Sequence, residues 1–514
     1  MKQRILWIDD EIELFKPHII FLEKKGYEVT TATFAAEGID LLKQQKFDVI
    51  FLDEQMPGLH GLDALMEIRR IDPYLPVVMI TKSEEENIME EAIGKEITDY
   101  LIKPINPNEI IVSLKKIFRK RDLVTEQSIQ NYQREFRSIA MDLSYTDTWD
   151  GWVELYKKLL YWDLKLDEID DRQMREIFEG QMAEANRAFF RFVEQNYMDR
   201  LQQSDDELPA LSHEVLGRYL LPDAGKPVLL VVIDNLRYDQ WMSIYPLLKD
   251  RFRLRAEHAY YSILPTATQY ARNALFAGLM PAQIKKRFPQ YWKDDPDEGG
   301  KNLYEKEFFT DFLQRKKVRA DIEFFKILNY RFGERTARDI PSLGAKDIIV
   351  TVYNFVDMIS HAKTEMDMIK ELAANDQAYR ALTATWFENS PLYHIIEAAA
   401  RQGRTIHLTT DHGTINVKRP TKVIGDKETS LNLRYKLGRS LTYNDKDVMA
   451  CHRPERLQLP SPYVGGTYIF AREDYFFVYP NNYTHYAQHF RNTYQHGGIS
   501  LQEMIVPYVI LEPK

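Results

Sequence analysis

The first 120 residues alternate between short apolar runs and longer stretches in which apolar positions recur at helical spacing. The helical stretches include Ala35–Gln45 and Glu84–Ile93. The short runs suit buried parallel strands and lie at Arg4–Ile8, Val49–Leu52, Val77–Ile80 and Tyr100–Ile102. Strands that alternate with helices predict a doubly wound parallel sheet, whose ligands bind beyond the carboxyl ends of the strands.

The middle of the chain has a helical pattern. No proline occurs between Pro107 and Pro209, and apolar residues recur at helical spacing, as at Leu155, Leu159 and Leu166. This pattern predicts a small bundle of amphipathic helices, which we interpret as a spacer that transmits a signal or dimerises. The segment SDDELPA at residues 204–210 has the composition of a linker.

Three apolar runs in the remainder of the chain each end in a carboxylate. PVLLVVID ends at Asp234, DIIVTVYNFVD ends at Asp357, and TIHLTTDHG carries Asp411 followed by His412. If these runs are strands of one parallel sheet, their ends lie along one edge. The sequence therefore predicts an α/β multidomain protein, with domains at residues 1–120, 121–205 and 206–514.

Composition narrows the class of protein. The chain has 514 residues, of which 44% are hydrophobic and 28% charged, and its net charge of −9 counts against a nucleic-acid coat protein. A single cysteine, Cys451, excludes an intrachain disulfide and a cysteine-based zinc module. The longest purely apolar run, Val228–Ile233, is too short to span a bilayer, and the N-terminus lacks the pattern of a signal peptide. We expect a cytoplasmic protein without membrane insertion.

Polar side chains follow the predicted strands of the first sheet. Asp9 and Asp10 follow the first run, Asp53 follows the second, and Thr81 and Lys103 follow the last two. Three carboxylates in one crevice repel one another unless a hard cation joins them, and Mg²⁺ prefers carboxylate oxygens together with a phosphate. A lysine and a hydroxyl beside them would hold the other phosphoryl oxygens.

Residues 1–120, with the stretch FLDEQMPG, resemble a response-regulator receiver domain of flavodoxin-like fold. The resemblance implies that Asp53 is the phosphoryl acceptor. It also implies that Asp10 and Asp53 hold Mg²⁺, together with the backbone carbonyl of Gln55 and with Asp9 through water.

The same resemblance identifies the switch residues of the receiver. Thr81, Tyr100 and Lys103 match the family's switch hydroxyl, switch aromatic residue and phosphate-pairing lysine. Lys82 departs from the family pattern, which has a small residue at this position, and so bears on access to the acyl phosphate.

The C-terminal part combines carboxylates and histidines. Asp357 and His361 share a face if a helix follows the strand, and His496 lies in the turn QHGGIS. With Asp234, Asp411 and His412 these residues form an oxygen and nitrogen donor set suited to two divalent ions, Zn²⁺ first and Mn²⁺ second. Such a centre suits displacement at phosphorus.

The order of these residues resembles the alkaline phosphatase superfamily, specifically its PglZ-type branch. PTATQYARNALFAGLMP resembles the nucleophile motif of the nucleotide pyrophosphatase/phosphodiesterases, which points to Thr268 rather than Thr266. The resemblance implies that one zinc is held by Asp234, Thr268, Asp411 and His412, and the other by Asp357, His361 and His496. The chain departs from the family at Ser360, where glycine is usual, and at Ala271, where the phosphodiesterases have asparagine. Arg272 or Asn273 is a candidate replacement for the asparagine contact.

A local basic run follows the Asp411–His412 pair in this acidic chain. We interpret it either as a solvated loop or as a wall that binds the phosphates of a nucleotide chain. In the second reading the substrate contacts are Arg434 and Lys436, with Arg272 beside the nucleophile.

The three parts in this order resemble response regulators of the type IX secretion system. The resemblance implies a PorY-like histidine kinase as partner and contacts with a sigma factor and the secretion machinery. It also implies a phosphodiesterase that acts on short linear or cyclic oligonucleotides. The alternatives are a phosphomonoesterase and a non-catalytic, metal-bound scaffold that signals through protein contacts.

Charge patterning adds a phosphorylation-promoted homodimer to these expectations. An acidic helix of one receiver would face a basic helix of its partner twice. The residues concerned are Glu84, Glu85, Glu86, Glu90 and Glu91 on one helix and Lys115, Lys116, Arg119, Lys120 and Arg121 on the other.

Overall fold

The computed structural model describes residues 3–72, 75–82, 97–169, 171–203, 205–354, 356–359, 371–426 and 429–514. For residues 119–130 it describes only the helical backbone. The chain divides into two compact units, Met1–Gln133 and Arg134–Lys514. The three domain boundaries that we expect from the sequence remain predictions.

The first unit is a doubly wound parallel sheet. Its strands are β1 (Arg4–Ile8), β2 (Glu28–Ala32), β3 (Val49–Asp53), β4 (Val77–Thr81) and β5 (Asp99–Ile102). Its described helices are α1 (Lys16–Lys24), α2 (Ala35–Gln44), α3 (Gly61–Ile71) and the beginning of α4 (Pro107–Tyr145). The strand order is β2-β1-β3-β4-β5, with every pair parallel. The predicted sheet is confirmed, and β2 is a strand that the hydrophobic pattern did not predict.

Burial on both faces explains why the central strands are apolar throughout. Side chains alternate along each strand, so Leu6 and Ile50 pack on one face and Ile5 and Val49 on the other. The edge strand β2 has a less buried, polar sequence, EVTTA. The alternation therefore fixes the register that places the acidic residues at the carboxyl ends of β1 and β3.

The middle of the chain is helical, as predicted. Helix α5 spans Trp149–Asp167 and α6 spans Arg172–Arg200. Thr148 begins α5 by accepting a hydrogen bond from the Gly151 N–H, and Asp171 begins α6 in the same way. Aromatic side chains join the two helices, with the rings of Trp152 and Phe189 5.3 Å apart.

Buried ion pairs bind these helices to the rest of the second unit. The side chain of Arg380 is 3% exposed. Its guanidinium lies 2.8 Å from Asp163, 2.5 Å from Asp167 and 2.9 Å from Asp239. One planar fork therefore joins two carboxylates of α5 to one carboxylate of the C-terminal region.

The remaining strands of the described residues form one large mixed sheet and three small sheets. The strands are β6 (Val228–Ile233), β7 (Phe252–Tyr261), β8 (Ile322–Ile327), β9 (Ile348–Tyr353), β10 (Thr405–Thr409), β11 (Ile415–Asn416), β12 (Arg419–Lys422), β13 (Tyr435–Gly438), β14 (Val448–Cys451), β15 (Thr467–Ala471), β16 (Tyr475–Val478), β17 (Tyr494–Gln495) and β18 (Ile505–Pro513). The large sheet has the order β7-β18-β10-β6-β9-β8. Its strands β10, β6, β9 and β8 are mutually parallel. The small sheets are β11-β17, β12-β16 and β13-β15-β14.

The α-helices of this region whose bounds fall within the described residues complete the α/β fold. They are α7 (Tyr238–Leu248), α8 (Thr268–Ala277), α9 (Pro281–Arg287), α10 (Glu305–Arg315), α11 (Tyr330–Asp339), α12 (Asp376–Glu388), α13 (Pro391–Arg401), α14 (Tyr483–Phe490) and α15 (Leu501–Met504). Every residue of the central strands β6 and β10 is buried. No helix among the described residues combines the length and the apolar character needed to cross a lipid bilayer.

Candidate functional sites

The first candidate site lies at the carboxyl ends of β1 and β3. Asp9 directly follows β1, Asp10 comes next, and Asp53 is the last residue of β3. Asp9 and Asp53 are buried and Asp10 is exposed, and one oxygen of each carboxylate lies within 4.8 Å of the others. The three acidic residues predicted for this edge are therefore together, in an arrangement that could hold one hard cation.

A buried lysine partly balances these carboxylates. Lys103 Nζ lies 2.8 Å from Asp53 Oδ1 and 3.0 Å from Asp9 Oδ2, and the lysine side chain is 8% exposed. Burial raises the pKa of Asp53 to about 6, with Asp9 and Asp10 adding to this effect and Lys103 opposing it. Three carboxylates against one lysine leave negative charge, which Mg²⁺ would offset.

The predicted switch residues lie around this crevice. Thr81 ends β4 and its hydroxyl hydrogen bonds to the carboxylate of Glu54, whereas Tyr100 in β5 is 41% exposed. Lys82 Nζ lies 2.8 Å from the carboxylate of Glu11 at the edge of the site. Gln55 lies exposed in the loop after β3. The predicted helix Glu84–Ile93 and its acidic residues fall outside the described residues.

The second candidate site lies at the carboxyl ends of β6 and β10. Thr268 Oγ1 lies 3.4 Å from Asp234 Oδ1 and 3.1 Å from His412 Nε2. His412 Nε2 in turn lies 4.0 Å from Asp234 and 3.6 Å from Asp411. The structure thus brings together all four residues predicted to share one zinc, with ligand atoms of Asp234, Asp411 and His412 within 4.8 Å of one another.

A second group of predicted ligands adjoins the first. His496 Nε2 lies 3.7 Å from Asp357 Oδ1, and the His496 ring stacks on the His412 ring at 4.3 Å. The side-chain amide of Asn235 lies 3.4 Å from Asp357 Oδ1 and links the two groups. The apolar run expected to continue as a strand to Asp357 ends as β9 at Tyr353, and residues 356–359 are already helical. A helix is the arrangement in which Asp357 and His361 would share a face, but His361 and Ser360 fall outside the described residues.

Local backbone geometry explains how these residues converge. Asn235 adopts φ 65°, which turns the chain sharply after Asp234, and Thr268 is the first residue of α8. Gly413 is required after His412 because a Cβ there would lie 2.0 Å from the carbonyl oxygen of Gln502. The parallel pairing of β6 with β10 and β9 supplies the common edge.

The electrostatics of this site centre on Arg272. Its Nε lies 3.0 Å from Asp411 Oδ2, and its Nη2 forms an ion pair with Asp234 Oδ2. Burial raises the pKa of Asp234 well above its ordinary value despite Arg272. For Asp411, burial acts in the same direction, but the charges of His412 and Arg272 outweigh it and lower the pKa.

Three further residues near these ligands were not predicted from the sequence. Asn235 N–H donates to Asp411 Oδ1 at 3.2 Å, whereas Glu305 and Asn354 lie 3.8 and 3.5 Å from Arg272 Nη1. Asn235 could have been suspected because it directly follows a predicted strand-end ligand. Glu305 and Asn354 belong to no motif, and only the tertiary fold brings them to the site.

The prediction that Arg434 and Lys436 line an accessible substrate wall is wrong. Arg434 is fully buried, and its Nη2 pairs with Glu503 Oε2 at 2.6 Å. Lys436 is 1% exposed and donates to the Ser430 carbonyl at 2.7 Å, and burial lowers its pKa to about 8. Burying a charge demands a partner, and these partners belong to the protein. Arg272 was also predicted as a substrate contact, but its guanidinium forms ion pairs with the carboxylates of Asp234 and Asp411.

Comparison with known families assigns each part of the chain. Residues 5–115 match the response regulator receiver domain. Residues 122–201 match the PorX response regulator linker domain. Residues 213–511, more than half of the chain, match the BREX system PglZ alkaline phosphatase-like domain.

Individual relatives match the receiver region. AlgB, the alginate biosynthesis transcriptional regulatory protein of Pseudomonas putida, is 36% identical over 120 residues, 23% of this chain and 27% of AlgB. The chain thus spans about a quarter of that relative's length. The chemotaxis protein CheY of Thermotoga maritima is 30% identical over 118 residues, 23% of this chain and 98% of CheY. The crystal structure of Vibrio cholerae CheY4 is 27% identical, with a TM-score of 0.22, and the match covers 23% of this chain and 99% of CheY4.

Proposed function

The chain belongs to the PglZ family of alkaline phosphatase-like domains and has the receiver, linker and effector order of the PorX architecture, and on this premise we propose that it is a response regulator with a zinc-dependent phosphodiesterase output. The substrates proposed are short linear or cyclic oligonucleotides. The observation that carries the proposal is the Thr268 hydroxyl, which lies at the beginning of a helix within 3.4 Å of both Asp234 and His412.

The donor set supports two borderline divalent ions. Asp234, Thr268, Asp411 and His412 would hold one zinc, and Asp357 and His496 the other, with His361 as the further predicted ligand. Two such ions would stabilise the charged oxygens at phosphorus and activate the hydroxyl for attack. The contacts of Thr268 with Asp234 and His412 orient its Oγ1 toward the position where the ions would bind.

The ion pairs of Arg272 with two carboxylates favour a diester substrate over a monoester. A monoester dianion needs an additional cation at the site, and the guanidinium one helical turn after Thr268 is already bound to Asp234 and Asp411. This argument concerns the phosphate only, so the oligonucleotide nature of the substrate rests on family resemblance.

The test compares a diester and a monoester of one chromogenic phenol, using purified, zinc-loaded protein. We expect turnover of the diester to exceed that of the monoester. A preference for the monoester would support a phosphomonoesterase, and no turnover of either ester or of short oligonucleotides would support a metal-bound scaffold.

We further propose that a PorY-like kinase phosphorylates Asp53 and that phosphorylation promotes dimerisation. Asp9, Asp10 and Asp53 would hold the Mg²⁺ that this transfer needs. A sigma factor and the secretion machinery are the proposed downstream partners. Light scattering with beryllofluoride and Mg²⁺ tests dimerisation. A chain that stays monomeric at tens of micromolar would contradict it, and an Asp53→Ala variant provides the control.

A further inference from the structure

Arg272 occupies a position in the C-terminal site that ligand chemistry alone does not require. It lies on α8 one turn after Thr268, on the same face of the helix, and it is fully buried. A fully buried guanidinium is costly unless it is paired and hydrogen-bonded. Arg272 meets this requirement through the two carboxylates that we propose as ligands of one zinc.

The two carboxylate oxygens of Asp234 have different partners: one pairs with Arg272, and the other lies near Thr268 and His412. Nη2 of Arg272 forms an ion pair with Asp234 Oδ2. The other oxygen, Asp234 Oδ1, lies 3.4 Å from Thr268 Oγ1 and 4.0 Å from His412 Nε2. Nε of Arg272 takes Asp411 Oδ2 at 3.0 Å, while Asp411 Oδ1 accepts from the backbone N–H groups of Asn235 and His412 at 3.2 and 3.1 Å. Both carboxylate planes are therefore held by hydrogen bonds and ion pairs within the protein.

The guanidinium of Arg272 also lies close to two side chains that are not predicted ligands. Nη1 of Arg272 lies 3.5 Å from Asn354 Oδ1 and 3.8 Å from Glu305 Oε1. Glu305 is 2% exposed and is bound by Lys326 at 2.7 Å. The guanidinium of Arg272 therefore contacts Asn354 and Glu305 as well as the carboxylates of Asp234 and Asp411.

We propose that Arg272 is a positioning residue of the metal centre, whose guanidinium fork fixes Asp234 and Asp411 in the orientation that zinc needs. This inference rests on the proposed zinc site but not on the identity of the substrate. It replaces the earlier expectation that Arg272 binds substrate.

Two opposing effects decide what happens when the fork is removed. Loss of a positive charge beside two carboxylates favours a divalent cation, whereas loss of orientation disfavours it. Partners that orient metal ligands typically contribute about 10–100-fold to metal affinity or activity. Because Arg272 contacts both carboxylates as well as Asn354 and Glu305, we expect orientation to dominate.

The experiment measures zinc affinity and stoichiometry of the full chain by competition with a chromogenic chelator. We expect Arg272→Gln to weaken the affinity of the first zinc by about 10–100-fold. Arg272→Lys keeps the charge but offers no planar fork, so we expect an intermediate loss of about 3–10-fold. If circular dichroism shows that Arg272→Gln does not fold, the Arg272→Lys variant decides the test.

Arg404→Gln provides the matched control. Arg404 is also fully buried, but it precedes β10 at the end opposite Asp411, and it donates to the carbonyls of Leu343 and Lys346 at 2.8 Å. We expect this variant to lose stability without a change in zinc affinity.

The outcomes separate this inference from the proposed function. Zinc affinity in Arg272→Gln that equals or exceeds that of the unmodified protein would overturn the inference, because Arg272 would then only balance charge. Complete rescue by lysine would also overturn it, because the fork would be dispensable. If the unmodified protein binds zinc but cleaves no diester, the proposed function fails while the zinc measurement still tests Arg272.

Discussion

The chain carries two acidic clusters built by the same topological rule but balanced by different cations. In the receiver, Asp9 and Asp53 lie at the ends of parallel strands beside Lys103, and the neighbouring Asp10 is exposed. In the PglZ region, Asp234 and Asp411 follow the parallel strands β6 and β10, and both are buried beside the guanidinium of Arg272. In both clusters the carboxylates lie beyond the ends of parallel strands, but the positively charged side chain that pairs with them is a lysine in one and an arginine in the other.

The difference matters for the ion that each cluster can hold. Within the described part of the receiver, the cluster offers oxygen ligands and keeps one carboxylate open to water, which suits a hydrated Mg²⁺. The PglZ cluster adds the buried imidazole of His412 and the half-buried imidazole of His496, which suits zinc. A lysine is a compact and movable point charge, whereas an arginine fork fixes the geometry of its partners. We therefore expect substitutions of Lys103 and of Arg272 to change metal affinity in different directions.

The largest expected effect follows from removing the proposed nucleophile of the PglZ cluster. Thr268→Ala should lower diester turnover by about a thousandfold or more, because the attacking group itself is lost. Zinc content should persist, since carboxylates and imidazoles supply most of the binding. Chromogenic diester hydrolysis and elemental analysis measure the two quantities. Thr268→Ser, which keeps a hydroxyl, should retain much of the activity, and unchanged turnover in Thr268→Ala would assign the attack to another group.

A second prediction concerns Arg380, whose buried guanidinium joins three carboxylates in the second unit. Arg380→Met should lower the free energy of unfolding of this unit by about 3–5 kcal/mol, because Asp163, Asp167 and Asp239 lose a buried partner. Denaturant titration followed by circular dichroism measures the change. Arg401→Met is the matched control, since the Arg401 side chain is 75% exposed, and we expect a change within about 0.5 kcal/mol. Equal losses in the two variants would contradict the prediction.

A third prediction concerns the pH dependence of the receiver cluster. Burial raises the pKa of Asp53 from 3.8 to about 6, so the fold favours its protonated form. This contribution to stability is complete below about pH 4 and is lost as the pH rises through 6, with an upper limit of about 3 kcal/mol. Mg²⁺ at pH 7 should recover stability by offsetting the ionised carboxylates.

Hydrogen exchange of the β1 and β3 amides in the full chain measures this dependence. Asp53→Asn cannot ionise at this position and should flatten the pH profile between pH 4 and 6. Protection that rises with pH in the unmodified receiver, in the absence of Mg²⁺, would show that other groups outweigh Asp53.

The two clusters also show how far sequence reasoning reaches. Asp234, Asp411 and His412 were predictable because each follows an apolar run, and parallel strands bring their ends together. The edge strand β2 escaped prediction because its sequence, EVTTA, lacks the apolar run of a central strand. The burial of Arg434 was beyond reach because its partner Glu503 lies 69 residues away in sequence. A run of basic residues fixes charge, but tertiary contacts decide whether that charge faces solvent.

The smallest expected effect tests the contrast between the two cations directly. Lys103 Nζ contacts Asp53 Oδ1 and Asp9 Oδ2, on two of the carboxylates that we propose as Mg²⁺ ligands, so its charge competes with the metal. Lys103→Met should therefore raise Mg²⁺ affinity by roughly 5–30-fold, as expected from about 1–2 kcal/mol of repulsion between an ammonium group and a divalent ion. This is the opposite sign to the loss of zinc affinity expected for Arg272→Gln.

Isothermal titration of Mg²⁺ into the zinc-saturated full chain measures this affinity. Lys82→Met is the control, because the Lys82 side chain is 53% exposed and pairs with Glu11, and exposed pairs contribute little. We expect its Mg²⁺ affinity to change by less than about twofold. A fall in affinity for Lys103→Met would mean that the lysine orients Asp9 and Asp53, as we propose Arg272 does for its partners. The two clusters would then share one mechanism, and the distinction between a point charge and a fork would not hold.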